Sequence, residues 1–287
     1  MKLAVIGLGL IGGSMALELK KNQFVSEVYG VDLNKEYQRE ALLLGLAQKI
    51  VTLEEAIELS DIIILSTPVG AVLDLLPKIL DNLKDHQVVI DVGSTKFNIC
   101  ESIKNHKERK KFVASHPMAG TEFSGPKAAH LGLFKNKATV ICDAEESNPE
   151  SVKLISNLYE CLEMRVLYMT AKEHDLHAAY VSHLSHISSF VLANTVLDKE
   201  KNVNAIFNLA SAGFESTVRL AKSSPEMWAP IFSQNNENVI DALGEYIERL
   251  KIFHSHLKSK DFEETKKLMY RSNEIIRVLS QIGQMKK

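Results

Sequence analysis

The feature that most constrains this chain is a glycine pattern close to its amino terminus. Gly7, Gly9 and Gly12 have the spacing G-x-G-x-x-G, directly after the apolar run Leu3–Ile6 and at the start of a helical pattern. In this context the first glycine permits a tight turn, the second lets the backbone approach a pyrophosphate, and the third lets the helix pack closely on the strand. The positive end of the helix dipole then faces the phosphates. The pattern predicts a dinucleotide-binding βαβ unit.

An acidic residue follows at the expected distance. The second apolar run, Glu27–Val31, is followed by Asp32, twenty residues beyond the third glycine of the pattern. A carboxylate at this position accepts hydrogen bonds from the adenine ribose hydroxyls and repels a 2′-phosphate. Leu33 and Asn34 supply no neighbouring cation, although Lys35 could weaken the preference. The sequence therefore predicts NAD rather than NADP as the cofactor.

The first half of the chain alternates short apolar runs with helical patterns, which is typical of a parallel sheet covered by helices. The runs are rich in Val and Ile without polar alternation, so we expect them to be buried on both faces. The predicted strands are Leu3–Ile6, Glu27–Val31, Asp61–Leu65, Gln87–Val92, Lys111–Ala114, Ala138–Cys142 and Met164–Met169. Thr52, with Glu55 three residues later, predicts a capping box at a helix start between two of them.

The strand patterns end at Thr170, a candidate helix cap, and the rest of the chain reads as helices. We therefore predict an α/β fold with two domains: a Rossmann-type parallel sheet domain over residues 1–169 and an all-helical substrate and dimerisation domain over residues 170–287. Apolar residues of the second domain form a stripe with spacings of four and three: Val239, Leu243, Tyr246, Leu250, Phe253 and Leu257. Such a stripe packs against another helix, either of the same chain or of a second copy, and we predict a homodimer.

Composition excludes several classes of protein. Thirty-four basic and 36 acidic side chains leave a formal charge of −2, so the chain is not built to coat nucleic acid or an anionic membrane. No apolar run reaches the roughly 18 residues of a membrane span, and glycines interrupt the apolar amino terminus where a signal peptide would need a helix. The three cysteines lack CxxC or metal-ligand spacing. They are typical of a reduced intracellular protein, and we expect a cytoplasmic location.

Ligands of open α/β sheets bind at the carboxyl ends of the strands, so the residues that follow each apolar run are candidates for a site. Ser66, Thr67 and Pro68 follow one run, and we expect them to flank the nicotinamide side of the cofactor. Ser94 lies in the segment 91–96, DVGSTK, after another. It either caps the next helix or points its hydroxyl at a substrate, and the two roles can coexist.

A histidine ends the strand predicted from Lys111. Pro117 restricts His116 to an extended conformation at the strand tip, where the side chain faces the mouth of the sheet. Imidazole titrates near neutrality and can accept a proton from a hydroxyl group as hydride leaves the same carbon. The alternative is a turn histidine that only satisfies backbone carbonyls.

Two further candidates lie in the helical part. His183 and His186 share one helix face, but no Glu completes an H-E-x-x-H pattern and no cysteine is near, so we expect substrate contact or core packing and no metal. Arg219 can hold a carboxylate through two parallel hydrogen bonds; its alternative is a surface ion pair with Glu215. The other histidines of this part support no assignment: His174, His177, His254 and His256.

Together these residues resemble the prephenate/arogenate dehydrogenase family of tyrosine biosynthesis, over nearly the whole chain. The resemblance rests on separated blocks in the same order, namely GLGLIGGS at 7–14, Asp32, STP at 66–68, DVGSTK at 91–96, SHPMAGTE at 115–122, SHLSH at 182–186 and AGFESTVRLAKSSPEMW at 212–228. It implies NAD-dependent oxidative decarboxylation of prephenate to 4-hydroxyphenylpyruvate. Some members carry a fused mutase or a regulatory domain, and we expect neither here, since the first strand begins at residue 3 and helices fill the end.

The resemblance also implies roles for individual residues. His116 would accept the hydrogen bond and eventually the proton of the substrate hydroxyl, and Ser94 would hold His116 and that hydroxyl in register. Arg219 would bind a substrate carboxylate, with His186 and Thr121 lining the same pocket. The predicted cofactor contacts are Gly7, Gly9, Leu10, Ile11, Gly12, Asp32, Ser66, Thr67 and Pro68.

Three alternatives remain open at this point. Arogenate differs from prephenate only by an amino group in place of a keto group, and no residue separates the two substrates by charge. A β-hydroxyacid or imine-reducing dehydrogenase shares the architecture, but such enzymes place a catalytic lysine or aspartate in the helical domain, where no matching lysine motif occurs. A protein that only senses NAD would leave His116 and Ser94 without a role.

Overall fold

The computed structural model of the protein describes residues 1–201 and 209–284. By packing, the chain divides into two units, Met1–Asn235 and Asn236–Lys287. The first unit contains the sheet and all of the candidate site residues. The domain boundary expected between residues 169 and 170 stays a prediction.

An eight-stranded sheet forms the centre of the first unit. In chain order its strands are β1 (Lys2–Ile6), β2 (Glu27–Val31), β3 (Lys49–Ile50), β4 (Ile62–Leu65), β5 (Val88–Asp91), β6 (Phe112–Pro117), β7 (Ala138–Cys142) and β8 (Arg165–Met169). They are arranged in the order β3-β2-β1-β4-β5-β6-β7-β8, and the predicted Rossmann-type sheet is confirmed. The two-residue β3 escaped prediction because it is too short to show a pattern.

One pair of strands departs from the parallel arrangement that we expected. β7 runs antiparallel to β6, whereas every other neighbouring pair is parallel. The connection over residues 118–137 contains no α-helix, only a short 3₁₀ turn at Pro126–Ala128. A parallel pairing needs a long crossover, usually a helix, so this segment returns the chain in the opposite direction.

Helices cover the sheet and form most of the remaining residues that the structure describes. In the first unit they are α1 (Leu10–Lys21), α2 (Lys35–Leu43), α3 (Leu53–Leu59), α4 (Val69–Asp81), α5 (Phe97–Ser102), α6 (Pro149–Cys161), α7 (Ala171–Ala178), α8 (Leu184–Glu200), α9 (Ala212–Val218) and α10 (Pro225–Gln234). A π-helical turn, Ala179–His183, joins α7 to α8. The capping box predicted at Thr52 is confirmed, and Thr170 forms another with Glu173.

The inner strands of the sheet are buried on both faces, as the absence of polar alternation predicted, whereas the edge strand β8 is half-buried or exposed along its length. On one face Met15 of α1 and Leu158 of α6 pack in the core, and on the other face Val72 of α4 and Ile99 of α5 do so, all with no exposed surface. Burial of each side chain of this size stabilises the fold by roughly 1.5–3 kcal/mol. Because β1, β4, β5 and β6 are parallel, this packing brings their carboxyl ends to one edge of the sheet.

The second unit consists of helices α11 (Asn236–Lys258), α12 (Phe262–Ser272) and α13 (Ile275–Gln284). The predicted stripe lies on α11, where Val239 is buried but Leu250 and Leu257 are about half exposed. Within the part of the chain that the structure describes, no helix is both long and apolar enough to cross a membrane.

Candidate active site

The turn that follows β1 has the geometry expected of its glycines. Gly7 has a φ of +96°, and a Cβ there would lie 2.7 Å from the carbonyl oxygen of Ser66. A Cβ on Gly12 would lie 2.4 Å from the Gly7 carbonyl oxygen, whereas a Cβ on Gly9 would meet nothing within 4 Å. The chain's own packing therefore requires the first and third glycines. The second leaves open space that a ligand can enter.

Asp32, directly after β2, is tied to this turn. One oxygen of its carboxylate accepts a hydrogen bond from the backbone N–H of Leu8 at 2.9 Å, and the other accepts from the N–H of Asn34, also at 2.9 Å. Leu33 between them is almost fully exposed. Asp32 thus stabilises the glycine turn while it holds a negative charge at the edge where the cofactor is expected.

The residues after β4 complete this edge. The Ser66 hydroxyl donates to the Gly7 carbonyl oxygen at 2.6 Å, which locks the β4 end to the glycine turn. Pro68 leads into α4. The Thr67 hydroxyl is buried and has no hydrogen-bond partner among the described residues. An unpaired buried hydroxyl costs roughly 1–3 kcal/mol, so it marks a position at which a bound ligand would supply the partner.

These residues fit a dinucleotide. Among the described residues no side chain caps the first turn of α1, so its backbone N–H groups and the positive end of its dipole are available to an anion next to the open space at Gly9. Anions bind at such helix ends. With the Asp32 carboxylate at the end of the neighbouring strand, the site offers a pyrophosphate position and a ribose position side by side.

His116 lies near the carboxyl end of β6, in the extended conformation that Pro117 predicted. It is 9% exposed. Its Nδ1 lies 2.8 Å from Nε2 of His174, and the two rings meet edge to face with centroids 5.1 Å apart. His116 is therefore not the turn histidine of the alternative interpretation, since its partner is a side chain from another element and not a backbone carbonyl.

His174 and Asp175, on α7, are the site residues that sequence reasoning missed. Nδ1 of His174 lies 2.7 Å from Oδ1 of Asp175. The Asp175 carboxylate also accepts from the backbone N–H groups of Lys96 and Phe97, at 2.8 and 2.9 Å. It thus caps the start of α5 from a different helix. No local pattern marks this pair, because their partners lie 58 to 79 residues away.

A buried ion pair lies next to His116. Lys96 and Asp91 have no exposed surface; the Lys96 ammonium contacts the Asp91 carboxylate and donates to the Ser115 carbonyl oxygen at 2.9 Å. The Ser115 hydroxyl lies 2.6 Å from the hydroxyl of Tyr159 on α6. Breaking such a pair would leave an uncompensated buried charge, so it joins the ends of β5 and β6 firmly.

Electrostatics keep His116 neutral. Burial, the largest cause, lowers the pKa of His116 well below its ordinary value, and the nearby His174, Lys96 and His183 lower it further. A neutral imidazole has one nitrogen with a free lone pair. At neutral pH His116 can therefore act as a proton acceptor.

His183 lies behind this pair, at the end of the π-helical turn. Its Nδ1 lies 3.2 Å from the side-chain amide nitrogen of Asn235, which also donates to the Asp175 carbonyl oxygen at 2.7 Å. An amide nitrogen only donates, so Nδ1 of His183 accepts and Nε2 carries the hydrogen. That N–H is buried without a partner among the described residues. Burial lowers the pKa of His183 to about 4, so the ring is neutral at neutral pH.

His186 and His183 both contact the ring of Trp228, as expected for two residues on one helix face. Its ring stacks on Trp228 of α10, with centroids 3.7 Å apart, and His183 meets the same indole edge to face at 5.8 Å. The indole N–H of Trp228 is also buried without a described partner. Two unpaired N–H donors therefore lie in this cluster. No group of three or more His, Cys, Asp or Glu side chains in the described ranges is arranged to hold a metal.

Arg219 pairs with a residue far away in the sequence. Its guanidinium donates to the Glu122 carboxylate at 2.8 Å, and its side chain is 48% exposed. The pKa of Glu122 is lowered most by a hydrogen bond from the backbone N–H of Glu122 itself, and the Arg219 side chain lowers it further. The alternative ion pair with Glu215 is wrong, because Glu215 lies 3.9 Å from Lys222 instead.

Ser94 and Thr121 are placed less tightly. Ser94 is half-buried in the loop after β5 and is not a helix cap, since α5 begins at Phe97 and Asp175 caps it. Thr121 is exposed, and its hydroxyl accepts from the Phe123 N–H at 3.2 Å. Neither side chain hydrogen-bonds to the His116 ring in the described structure. Their expected contacts with substrate stay predictions.

Comparison with family models identifies two matches that together span most of the chain. The model described as the nucleotide-binding domain of prephenate dehydrogenase matches residues 15–168, and the model described as its dimerization domain matches residues 170–271. The prephenate dehydrogenase of Lactococcus lactis is 34% identical over 269 residues, which cover 93% of this chain and 72% of that protein.

Comparison with solved structures also finds prephenate and arogenate dehydrogenases. The structure of the Aquifex aeolicus prephenate dehydrogenase in complex with hydroxyphenyl propionate and NAD⁺ superposes with a TM-score of 0.87 at 29% identity, covering 97% of each chain. The Synechocystis arogenate dehydrogenase superposes with a TM-score of 0.77 at 26% identity, covering 97% of this chain and 100% of that one.

Proposed function

Since this chain belongs to the prephenate dehydrogenase family, we propose that it catalyses the NAD-dependent oxidative decarboxylation of prephenate to 4-hydroxyphenylpyruvate. In this reaction a hydride leaves the ring carbon that bears the hydroxyl group. Carbon dioxide leaves from the opposite ring carbon, and its bonding electron pair completes the aromatic ring. NAD, when bound, supplies the hydride acceptor. Aromatisation drives the reaction, so the protein's task is to position the substrate and polarise its hydroxyl.

The observation that carries this proposal is the buried, neutral imidazole of His116 at the carboxyl edge of the sheet. The glycine turn after β1 lies at the same edge, because β1 and β6 point in the same direction. His116 would hold the hydroxyl proton of the substrate while the hydride departs and return it to the oxygen as the phenol forms. No proton is then lost from the substrate overall, and the base is regenerated in each cycle.

The polar groups around His183, His186 and Trp228 support a substrate that carries carboxylates. Prephenate has two carboxylate groups. Arg219 can bind one of them by exchanging its bond with Glu122, and the unpaired N–H groups of His183 and Trp228 can donate to an anionic oxygen. We place the ring carboxylate at Arg219, with His186 stacked on the indole beside it. Ser94 and Thr121 complete the proposed pocket.

A direct test supplies prephenate or arogenate with NAD or NADP and follows the absorbance of the reduced nicotinamide. We expect prephenate with NAD to have the highest kcat/KM. A clearly higher kcat/KM for arogenate would reverse the substrate assignment and keep the chemistry. If neither compound is turned over, the proposed reaction is rejected. The remaining alternatives are then a β-hydroxyacid or imine substrate, or a protein that only binds NAD.

Arogenate dehydrogenase is the second candidate function, because the Synechocystis enzyme of that name covers this chain almost completely. The two substrates differ only at the side-chain carbon next to the distal carboxylate, where arogenate carries an ammonium group. A carboxylate close to that position would favour arogenate, and the carboxylate that we propose for this role is Glu122, the partner of Arg219. The Glu122→Gln variant would therefore lose arogenate activity selectively if arogenate were the natural substrate.

We further propose that the protein is a homodimer assembled through its helical part. The family model that matches residues 170–271 is described as a dimerization domain. On α11, Leu250, Phe253 and Leu257 expose between about a third and a half of their surfaces. Light scattering coupled to size exclusion should give twice the chain mass, and the Leu250→Glu variant should give the mass of one chain. A single-chain mass for the wild-type protein at micromolar concentration would reject the dimer.

We also propose a cytoplasmic location. It is supported by the state of the thiols, since Cys100 and Cys142 are buried, Cys161 is half-buried, and none of the three forms a disulfide. Fractionation of cells with an antibody against the chain should recover it with soluble cytoplasmic markers. Recovery with membranes or outside the cell would reject this location.

A further inference from the structure

The base proposed above has a side-chain partner that no motif assigns. Nδ1 of His116 lies 2.8 Å from Nε2 of His174, and Nδ1 of His174 lies 2.7 Å from the Asp175 carboxylate. All three residues are buried: His174 is 2% exposed and Asp175 is 1% exposed. Water is therefore excluded from both contacts, and the three ring nitrogens that form them are partnered only by each other and by the Asp175 carboxylate.

The hydrogen bonds to Asp175 fix its role as an acceptor. Its two oxygens accept from the backbone N–H groups of Lys96 and Phe97, the first donors of α5. A backbone N–H cannot accept a hydrogen bond, so both oxygens must present lone pairs. The positive end of a helix also favours the ionised carboxylate. Asp175 therefore serves as the acceptor for His174 as well.

The position of every ring hydrogen follows from that anchor. Because Oδ1 of Asp175 accepts, Nδ1 of His174 must carry a hydrogen and donate it. In a neutral ring the other nitrogen, Nε2, then has a lone pair. That lone pair faces Nδ1 of His116, which must donate in turn. The remaining nitrogen of His116, Nε2, is left with its lone pair, and it makes no hydrogen bond within the described structure.

We propose that His174 and Asp175 are positioning residues that hold His116 in the tautomer whose Nε2 can accept the substrate's hydroxyl proton. This inference rests on the proposed function, since it assigns a purpose to Nε2 in that reaction. Without His174, the ring of His116 would be free to place its hydrogen on either nitrogen, and one of the two forms cannot accept a proton at Nε2. The Asp175 carboxylate contacts His174 and acts on His116 only through that ring.

The surroundings of Asp175 hold this arrangement in place. The side-chain amide of Asn235 donates to the backbone carbonyl of Asp175 at 2.7 Å. Thr95, two residues before α5, donates from its hydroxyl to the side chain of Gln234 at 2.6 Å. Helices α5, α7 and α10 are thus joined by side-chain hydrogen bonds around the carboxylate. We expect the three groups to stay aligned in the absence of any ligand.

The first experiment determines directly which nitrogen of the His116 ring carries the hydrogen. Protein labelled with ¹⁵N in its histidines is examined by NMR without substrate, and the His116 resonances are assigned by their loss in His116→Asn. We expect Nε2 to show the shift of an unprotonated nitrogen and Nδ1 that of a protonated one. A protonated Nε2 on His116, or a His174 ring protonated on both nitrogens, would overturn the inference. Because no substrate is present, this result stands even if prephenate is not the substrate.

The second experiment measures the consequence for turnover. In His174→Leu we expect kcat to fall roughly 10- to 100-fold, a part of the 10²- to 10⁴-fold that a positioned base supplies, while KM for prephenate and Kd for NAD change by less than about threefold. His174→Gln, whose amide oxygen can accept from Nδ1, should recover most of that loss. Tyr159→Phe is the control: it deletes a buried hydroxyl beside the same strand end without touching the three groups.

The kinetic outcomes separate positioning from general damage. Full activity in His174→Leu would contradict the inference. So would an equal loss in the Leu and Gln variants, or a loss in Tyr159→Phe as large as that in His174→Leu, because a merely structural role predicts both. If His174→Leu does not fold, the spectrum of the wild-type protein still gives the answer.

Discussion

The glycine turn after β1 and the histidine cluster around His116 are the two halves of the proposed site, and they are built in opposite ways. The turn uses consecutive residues and acts through backbone: a positive φ at Gly7, open space at Gly9, and uncapped N–H groups at the start of α1. The cluster takes single side chains from β6, α7 and the π-helical turn, and acts through ring nitrogens. A backbone site is damaged by adding an atom, and a side-chain site by removing one.

This difference predicts which variants separate binding from chemistry. A change in the turn should affect the affinity for cofactor and the stability of the fold together, because the same backbone serves both. A change of one nitrogen in the cluster should affect the chemical step and leave the cofactor affinity intact. The following variants test that separation.

The largest effect is expected for His116→Asn. Removal of the proton acceptor should lower kcat about 100-fold or more, while the Kd for NAD, measured by fluorescence titration, stays within about twofold. His130→Asn is a matched control, since His130 is an exposed histidine whose Nδ1 contacts only a backbone carbonyl among the described groups. Unchanged turnover in His116→Asn would remove this residue from the mechanism and leave only the cofactor half of the site.

The next effect is expected for Gly7→Ala compared with Gly9→Ala. At Gly7 the added Cβ meets the Ser66 carbonyl oxygen at 2.7 Å in a left-handed conformation, so we expect about 1–3 kcal/mol of strain, a lower Tm and a Kd for NAD raised at least about tenfold. At Gly9 the methyl group has room, so Tm should stay unchanged while the Kd for NAD rises. Unchanged NAD affinity in Gly9→Ala would contradict a close approach of the pyrophosphate to this backbone.

A smaller effect is expected for Arg219→Ala. The guanidinium is about half exposed and already paired with Glu122, so its loss should cost less than that of a buried partner. We expect KM for prephenate to rise about tenfold, about 1.4 kcal/mol, with kcat changed less than about threefold. Lys222→Ala removes a neighbouring cation and should leave both constants unchanged. A rise in the KM for NAD instead would place Arg219 in the cofactor half.

The smallest effect concerns pH, because the glycine turn contains no group that titrates and the cluster contains several. The folded protein holds the pKa of His183 at about 4, below the ordinary value of about 6.5 that the unfolded chain retains. The unfolded state therefore takes up a proton first as the pH falls. The stabilisation is complete above about pH 6.5 and is lost progressively down to about pH 4.

Urea denaturation measures this loss. Between pH 7.5 and 5.5, His183 should account for about 1 kcal/mol of the decrease in the free energy of unfolding, and His116 shifts in the same direction. In His183→Asn the decrease over that range should be smaller by about the same amount, whatever the stability of the variant at pH 7.5. An identical decrease in both proteins would mean that His183 keeps its ordinary pKa in the folded protein.

Much of the fold could be predicted from local patterns. Apolar runs without polar alternation predicted seven of the strands, because burial on both faces requires apolar side chains at every position. The direction of β7 could not be predicted in this way. Strand direction depends on whether the connection contains a crossover helix, and residues 118–137 are long enough to hold a short one beside the turns that their glycines and proline indicate.

The candidate site also contains a part that local sequence patterns predict and a part that they do not. The amino-acid sequence alone specifies the glycine turn, the carboxylate of Asp32 and the extended His116, because positive φ, strand ends and X-Pro restrictions are properties of a few neighbouring residues. The bonds from His116 to His174 and from Arg219 to Glu122 span 58 and 97 residues. Such pairs exist only once helices have packed on the sheet, since the distance between two side chains far apart in sequence is set by packing and not by any local preference of the chain.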